Sequence, residues 1–309
     1  MGKQTLRIEY GKYITEWGQK NKDIVVLEAD LKESTQSIRF QQAFPERYFD
    51  VGVAEQNMVG MAAGLALAGK IPVAHSFATF ISMRACEQVR TSVAYPRLNV
   101  KFLVTHAGIS TGTAGTTHHA IEDIAIMRSI PNMTVLVPGD AEELRQVIDA
   151  AMELNGPVYI RLGAGDAEDV YGFEDCFKIG KATRIREGND AAIITTGTMV
   201  YEGICASDIL KKEYGLSVRV LQMASVKPLD VEAVKKASIE TRGIVTVEEH
   251  NVLGGLGGAV CEASAEIGGV HVIRIGIQDR FSAVGTASQL MKAEGLTVEN
   301  IVKSVKDLV

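Results

Sequence analysis

Four kinds of side chain in this sequence sit where they could do chemistry: one glutamate, a group of histidines, an arginine and a pair of phenylalanines. Glu55 lies in YFDVGVAEQNMVG, where an apolar strand-like run passes directly into a glycine-rich apolar helix. A carboxylate there sits at a helix N-terminus, a place the helix dipole favours for any acid. In a dry apolar setting the same carboxylate would have a raised pKa and be suited to share a proton with a bound heterocycle. His106, His118 and His119 make up half of the six histidines. Imidazoles donate, accept or shuttle protons near neutral pH, and they also serve simply to satisfy local backbone groups. Zinc fits them poorly, because no nearby acid or cysteine completes a set with ligand spacing. Arg161 closes the run PVYIR, where its fork suits either a phosphate or an ordinary ion pair. Phe77 and Phe80 alternate with small residues after a strand, either as core or as a stacking face for a flat ring.

These residues fall at the ends of predicted strands. Short β-branched runs alternate with helix-length stretches: DIVVLEAD, IPVAHSF, NVKFLVTHAG, MTVLVPGD and PVYIRLG, then AAIITTG, SVRVLQM, GIVTVEE and VHVIRIG. Runs apolar on both faces and separated by helices are what a buried parallel sheet requires. The expected fold class is α/β, with two doubly wound domains that each carry a mostly parallel sheet. Residues 163–190 are rich in glycine and charge, with a short strand or hairpin as their one regular feature, so the domains are placed at 1–170 and 185–309. Open sheets of this kind bind ligands beyond the carboxyl ends of their strands, where the Gly/Ala/Ser/Thr-rich loop after His106 falls. A helix is expected over 55–68, lined with small residues for close backbone approach and stopped by Gly69. Another is expected over 121–130, ended by Pro131, and a third after Asp140, which can cap it. The glycines at 254, 255, 257 and 258 do not form a dinucleotide fingerprint and are read as a tight strand-to-helix turn.

Composition narrows the function classes. The 309 residues carry 32 basic and 38 acidic side chains, a net charge of −6, which argues against a general nucleic-acid binder or an anionic-membrane binder. With 46% hydrophobic and 23% charged residues, the chain can bury large cores. The apolar run 58–68 is far too short for a membrane span, and the first residues lack an apolar signal core, so a soluble cytoplasmic protein is expected. Cys86, Cys176, Cys205 and Cys261 are too far apart for zinc spacing and are read as four reduced thiols.

Several ordered segments carry a resemblance. YFDVGVAEQNMVGMAAGLA, SFATFISMRACEQVRTSVAYPRLNVKFLVTHAG, TTHHAIEDIAIMRSIPNMTVLVPGD and GPVYIRLG resemble, in order and spacing, the pyrimidine-binding half of transketolases. AAIITTGTMV, VLQMASVKPLD and VEEHNVLGGLGGAV resemble the C-terminal domain of the same family, so the likeness covers essentially the whole chain. The match looks best to the C-terminal subunit of split transketolases, which divide the enzyme over two chains. The resemblance implies that Glu55 hydrogen-bonds the aminopyrimidine of thiamine diphosphate and promotes its imino form. It implies that Phe80, with Phe77 beside it, stacks on that ring, that His106 and His118 bind the sugar and manage its protons, and that Arg161 holds the sugar phosphate.

Two departures qualify this. The family loop Gly-Glu-Asp-Gly-x-Thr-His is replaced here by residues 112–118, GTAGTTH, so the acid that would read a substrate hydroxyl is Ala114. His119 stands where glutamine is usual. The chain also lacks the family's Gly-Asp-Gly, followed further on by asparagine, that binds diphosphate and Mg²⁺. Half an active site implies a partner chain carrying that half, with the small-residue helix buried between subunits in a two-fold assembly, a heterotetramer. The implied reaction is transfer of a two-carbon ketol unit between sugar phosphates. Alternatives are the matching half of a deoxyxylulose-phosphate synthase, a 2-oxoacid dehydrogenase β subunit, or a noncatalytic assembly subunit.

Overall fold

A computed structural model of the chain describes residues 3–170 and 177–309. β1 (Lys3–Thr5) leads into α1 (Leu6–Lys20), β2 (Ile24–Glu28), the short helices α2 (Lys32–Thr35) and α3 (Ile38–Ala43), β3 (Tyr48–Asp50), α4 (Glu55–Leu67) and β4 (Ile71–Phe77). Two π-helical stretches, Phe80–Arg84 and Val89–Ala94, flank α5 (Cys86–Gln88) ahead of β5 (Lys101–Ala107). Then come α6 (Asp123–Ser129), β6 (Thr134–Leu136), α7 (Ala141–Glu153), β7 (Val158–Gly163) and β8 (Asp166–Glu168). The second half runs β9 (Thr183–Arg186), β10 (Ala191–Thr195), α8 (Met199–Tyr214), β11 (Val218–Gln222), β12 (Ser225–Lys227), α9 (Val231–Glu240) and β13 (Ile244–Asn251). It closes with α10 (Leu256–Ala265), β14 (Val272–Ile277), α11 (Ala287–Ala293) and α12 (Val298–Leu308).

Two sheets organise the chain. The first has the order β12-β6-β7-β5-β4-β2-β3 and the second β14-β13-β10-β11-β9. Both are parallel except at an edge, where β12 and β9 run antiparallel to their neighbours. The central strands are buried along their whole length, as in Ile24–Glu28 and Ala191–Thr195, because helices cover both faces. One connection was not expected: β12, from the second half, completes the first sheet beside β6. The link region contributes β8, which pairs with β1. Of the cysteines, Cys86, Cys205 and Cys261 are free, and Cys176 lies outside the described residues. No helix among the described residues is long and apolar enough to cross a membrane.

Local chemistry sets the helix ends. The Asp140 carboxylate accepts the Glu143 amide at 2.8 Å and caps α7, as its position suggests. The helix before Pro131 starts at Asp123, two residues later than periodicity indicates, because Ile121 is drawn aside: its carbonyl accepts the Asn251 amide at 2.8 Å. The glycine run after β13 is a turn into α10. Gly254 has φ +78°, and Glu248 sets its own carboxylate on the helix amides of Leu256 (2.6 Å) and Gly257 (2.8 Å). That N-terminus is therefore filled from within the chain, which leaves no seat for a dinucleotide pyrophosphate.

Candidate active site

The sheet order places β3 and β4 on opposite sides of β2. Passing from β3 to β4, the chain crosses over β2, and sheets of this kind bind ligands beyond the carboxyl ends of strands at such a crossover. The residues after β2, β4 and β5 meet there.

Glu55 is the first residue of α4 and only 1% exposed. Its setting is not purely apolar, as the sequence suggests: Arg84 Nη1 lies 2.8 Å from both carboxylate oxygens. Arg84, which motif reading missed, is 46% exposed along its side chain and lies flat over Phe80, with its guanidinium carbon 4.3 Å from the ring centroid. The π-helical winding of Phe80–Arg84 sets the spacing that brings Phe80 and Arg84 together.

The aromatic cluster continues inward. Phe80 and Phe77 stack at 5.8 Å between centroids, Phe77 stacks on His106 at 3.9 Å, and His118 stands edge-on to Phe80 at 5.4 Å and to Phe77 at 6.0 Å. Phe77, Phe80, His106 and His118 thus form one ring cluster, which Arg84 joins to Glu55. His106, the last residue but one of β5, has φ +57°, a costly conformation for a side chain with a Cβ, and its carbonyl accepts the Thr111 hydroxyl at 2.8 Å. Burial, with the nearby charges of Arg7 and His118, lowers its pKa to about 4, so the ring is neutral at physiological pH. His119 turns away: it is buried, with Nε2 2.9 Å from the Gly112 carbonyl, and braces the loop. Ala114 is exposed on the turn Gly112–Ala114.

Arg161 is more enclosed than its place at a strand end suggests. Its side chain is 5% exposed and points into the interior, with Nε 2.8 Å from Asp123 Oδ2 and Nη2 bonded to the carbonyls of Ala120 (3.2 Å) and Glu249 (3.0 Å). A guanidinium so enclosed offers no open fork to a phosphate. Strand-end position was the signal for it, but alternation along β7 turns the side chain inward. Arg7 on α1 is better placed. It is half-buried, its charge reaches His106, its Nη1 donates to the Ser34 carbonyl at 3.0 Å, and its buried Nε has no partner among the described residues. No sequence signal marked it, because α1 joins the site only through the fold.

The loop that Arg7 touches is fastened from below by Glu28, at the end of β2. Its carboxyl takes hydrogen bonds from Thr35 Oγ1 and Ser37 Oγ, both 2.6 Å, and from the Ala29 amide at 3.0 Å. Burial nevertheless pushes its pKa up from the ordinary 4.5 to about 7. The folded chain therefore holds this proton more tightly than the unfolded chain does. The associated stability is full below about pH 4.5 and is lost as the pH rises through about 7. Thermal melts across that window should show the melting temperature of Glu28→Gln falling less with rising pH than that of the wild type; parallel curves would contradict this.

The described residues contain no group of three His, Cys, Asp or Glu placed to hold a metal ion. The chemistry present suits an aminopyrimidine: Glu55 is a buried acid, and Arg84 links it to the Phe80 ring. Among the described residues a diphosphate with Mg²⁺ finds no matching set of ligands.

Comparison with known proteins gives the family. The family description "Transketolase, pyrimidine binding domain" matches residues 3–167, and "Transketolase, C-terminal domain" matches residues 180–301. The chain belongs to the transketolase family. It is 48% identical over 305 residues to a putative transketolase C-terminal section from Methanocaldococcus jannaschii, covering 98% of this chain and 95% of that one. It is 43% identical to a 6-deoxy-6-sulfo-D-fructose transketolase subunit from Clostridium sp., over 98% of this chain and 94% of that one. A solved structure described as a split gene transketolase, inactive beta4 tetramer, superposes with a TM-score of 0.90 at 43% identity, over 99% of this chain and 98% of that one. The chain is thus a transketolase-type subunit whose relatives include subunits of split transketolases, and the family implies use of thiamine diphosphate.

Proposed function

We propose that this chain is the ring-activating and substrate-orienting subunit of a two-chain, thiamine-diphosphate-dependent transketolase that moves a two-carbon ketol unit between sugar phosphates. The observation that carries it is the chain of contacts from the buried Glu55 carboxyl through Arg84 to Phe80, and from Phe80 and Phe77 to His106 and His118. The cofactor supplies the electron sink that lets a carbon–carbon bond beside a carbonyl break and re-form. Glu55 gives the aminopyrimidine a hydrogen-bonding carboxyl and holds a proton on it. Phe80 packs on the ring, with Phe77 behind. Neutral His106 and the half-exposed His118 are placed to donate to or accept from sugar oxygens, and Arg7 takes the phosphate role first given to Arg161. Mg²⁺ and the diphosphate belong on a partner chain, and a cytoplasmic setting suits the free thiols. Ala114 leaves open space where the family carries an acid, which favours a donor lacking the usual hydroxyl contact. Reconstitution with a partner chain that bears Gly-Asp-Gly, followed by donor profiling, tests the reading. Ketose-phosphate consumption supports it, whereas turnover of pyruvate alone points to the synthase or dehydrogenase alternatives.

The surface for that partner surrounds Glu55. Val53, Leu67, Met83 and Tyr95 are exposed apolar side chains, and on α4 Gly60 and Gly64 face solvent with nothing within 4 Å of an added Cβ. Leucine at either glycine should leave the free chain as stable or slightly more so, by up to about 1 kcal/mol, because helix propensity favours it. In the complex the same side chain would hold the subunits apart. Sedimentation of Gly60→Leu and Gly64→Leu with the partner is expected to show assembly weakened at least about tenfold, roughly 1.4 kcal/mol. Undiminished assembly would move the interface elsewhere.

A further inference from the structure

The loop from His106 to His119 belongs to the first domain by sequence, yet the second domain holds it. Ile109 and Ile121, which bracket its ends, are buried in the second domain's core with Ile193, Val247 and Ile277. The Glu249 carboxylate, on β13, reaches across and takes the Ser110 amide at 2.6 Å, while the Ile109 amide and the Ser110 hydroxyl face the same group. Gly108, with φ +73°, lies so close that a Cβ there would fall 2.3 Å from Glu249 Oε1. The Glu249 carbonyl accepts Arg161 Nη2, and on the far side of the loop the Thr116 hydroxyl donates to the Ser282 carbonyl at 3.2 Å. A buried carboxyl group on the backbone amides three and four residues after His106 fixes where that strained residue stands.

We infer that Glu249 is a positioning residue: through the amides of Ile109 and Ser110 it holds His106 and His118 against Phe77 and Phe80, which gives the C-terminal domain a direct part in the reaction. This rests on the proposed transketolase function only for its effect on turnover, since the placement of His106 is measurable in the chain alone.

The experiment uses the full chain, first by itself and then in the two-chain complex. In the chain alone, NMR of labelled histidine reads the His106 titration, assigned with His106→Gln. Glu249→Ala is expected to move that midpoint up from about 4 towards the ordinary histidine value as the ring leaves its buried seat. In the complex it is expected to lower kcat by about tenfold or more with little change in KM, the scale on which small misplacements act. Arg128→Ala, which breaks the Arg128–Glu262 clasp between the domains away from the loop, is the control and should stay within about twofold. Gly108→Ala displaces the carboxylate from the loop side and decides the matter by the same two readouts where Glu249→Ala does not fold. An unmoved His106 titration in a folded variant, or a kcat loss matched by Arg128→Ala, would overturn the inference. A wild-type complex with no ketol transfer, alongside a moved titration, would count against the proposed function and leave the loop contact standing.

Discussion

Replacing Glu55 by glutamine in the two-chain complex is expected to lower turnover by about 10²–10⁴-fold, the range in which a positioned acid or base contributes. Glutamine keeps the shape at the start of α4 but cannot hold and release a proton on a ring nitrogen. Assembly should survive, because the side chain is 1% exposed and contributes little to the surface that meets a partner. Stability should change little as well: Arg84, which loses its counter-charge, is 46% exposed and water can solvate it. Glu55→Ala should lose at least as much activity. Steady-state rates at saturating cofactor, beside a binding isotherm for the partner, separate loss of chemistry from loss of assembly. Unchanged turnover would favour a noncatalytic assembly subunit.

The second large effect is on folding. Asp123 is fully buried and takes both Arg161 Nε, at 2.8 Å, and the Tyr159 hydroxyl, at 2.9 Å. Asp123→Asn leaves the Arg161 cation enclosed without a counter-charge, which should cost about 3–5 kcal/mol. In a chain of this size that corresponds to a fall in melting temperature of roughly 10 °C. Removing both charges, as in Asp123→Leu with Arg161→Met, should recover much of the loss, because neither ion is then stranded. The same pair settles the phosphate question. KM for a phosphorylated donor should be unchanged in a folded Arg161→Met, Asp123→Leu double variant and raised in Arg7→Met. The opposite pattern would return the phosphate to Arg161.

The strands were legible because parallel strands covered on both faces leave unmistakable apolar runs, and Asp140, Gly69 and Pro131 mark helix ends by their own chemistry. Glu55, Phe80, His106 and His118 were legible as residues at strand and helix ends; the structure clusters Phe80 with the two histidines and joins Glu55 to them through Arg84. What stayed hidden depends on winding and on distant pairing. Arg84 reaches Glu55 only through a π-helical turn, whose sequence looks like any helix. Arg7 comes from α1, in a segment that carries no motif. The enclosure of Arg161 stayed hidden because strand position does not reveal a buried partner 38 residues away. The entry of β12 into the first sheet and the grip of Glu249 on the histidine loop are contacts between halves of the chain that local pattern does not encode.

The most direct test is a structure of the assembled two-chain complex with thiamine diphosphate. The expected result is the aminopyrimidine lying on Phe80 with a ring nitrogen hydrogen-bonded to the Glu55 carboxyl, and the diphosphate on the partner. A thiamine ring bound elsewhere, with Glu55 still paired only to Arg84, would contradict the assignment.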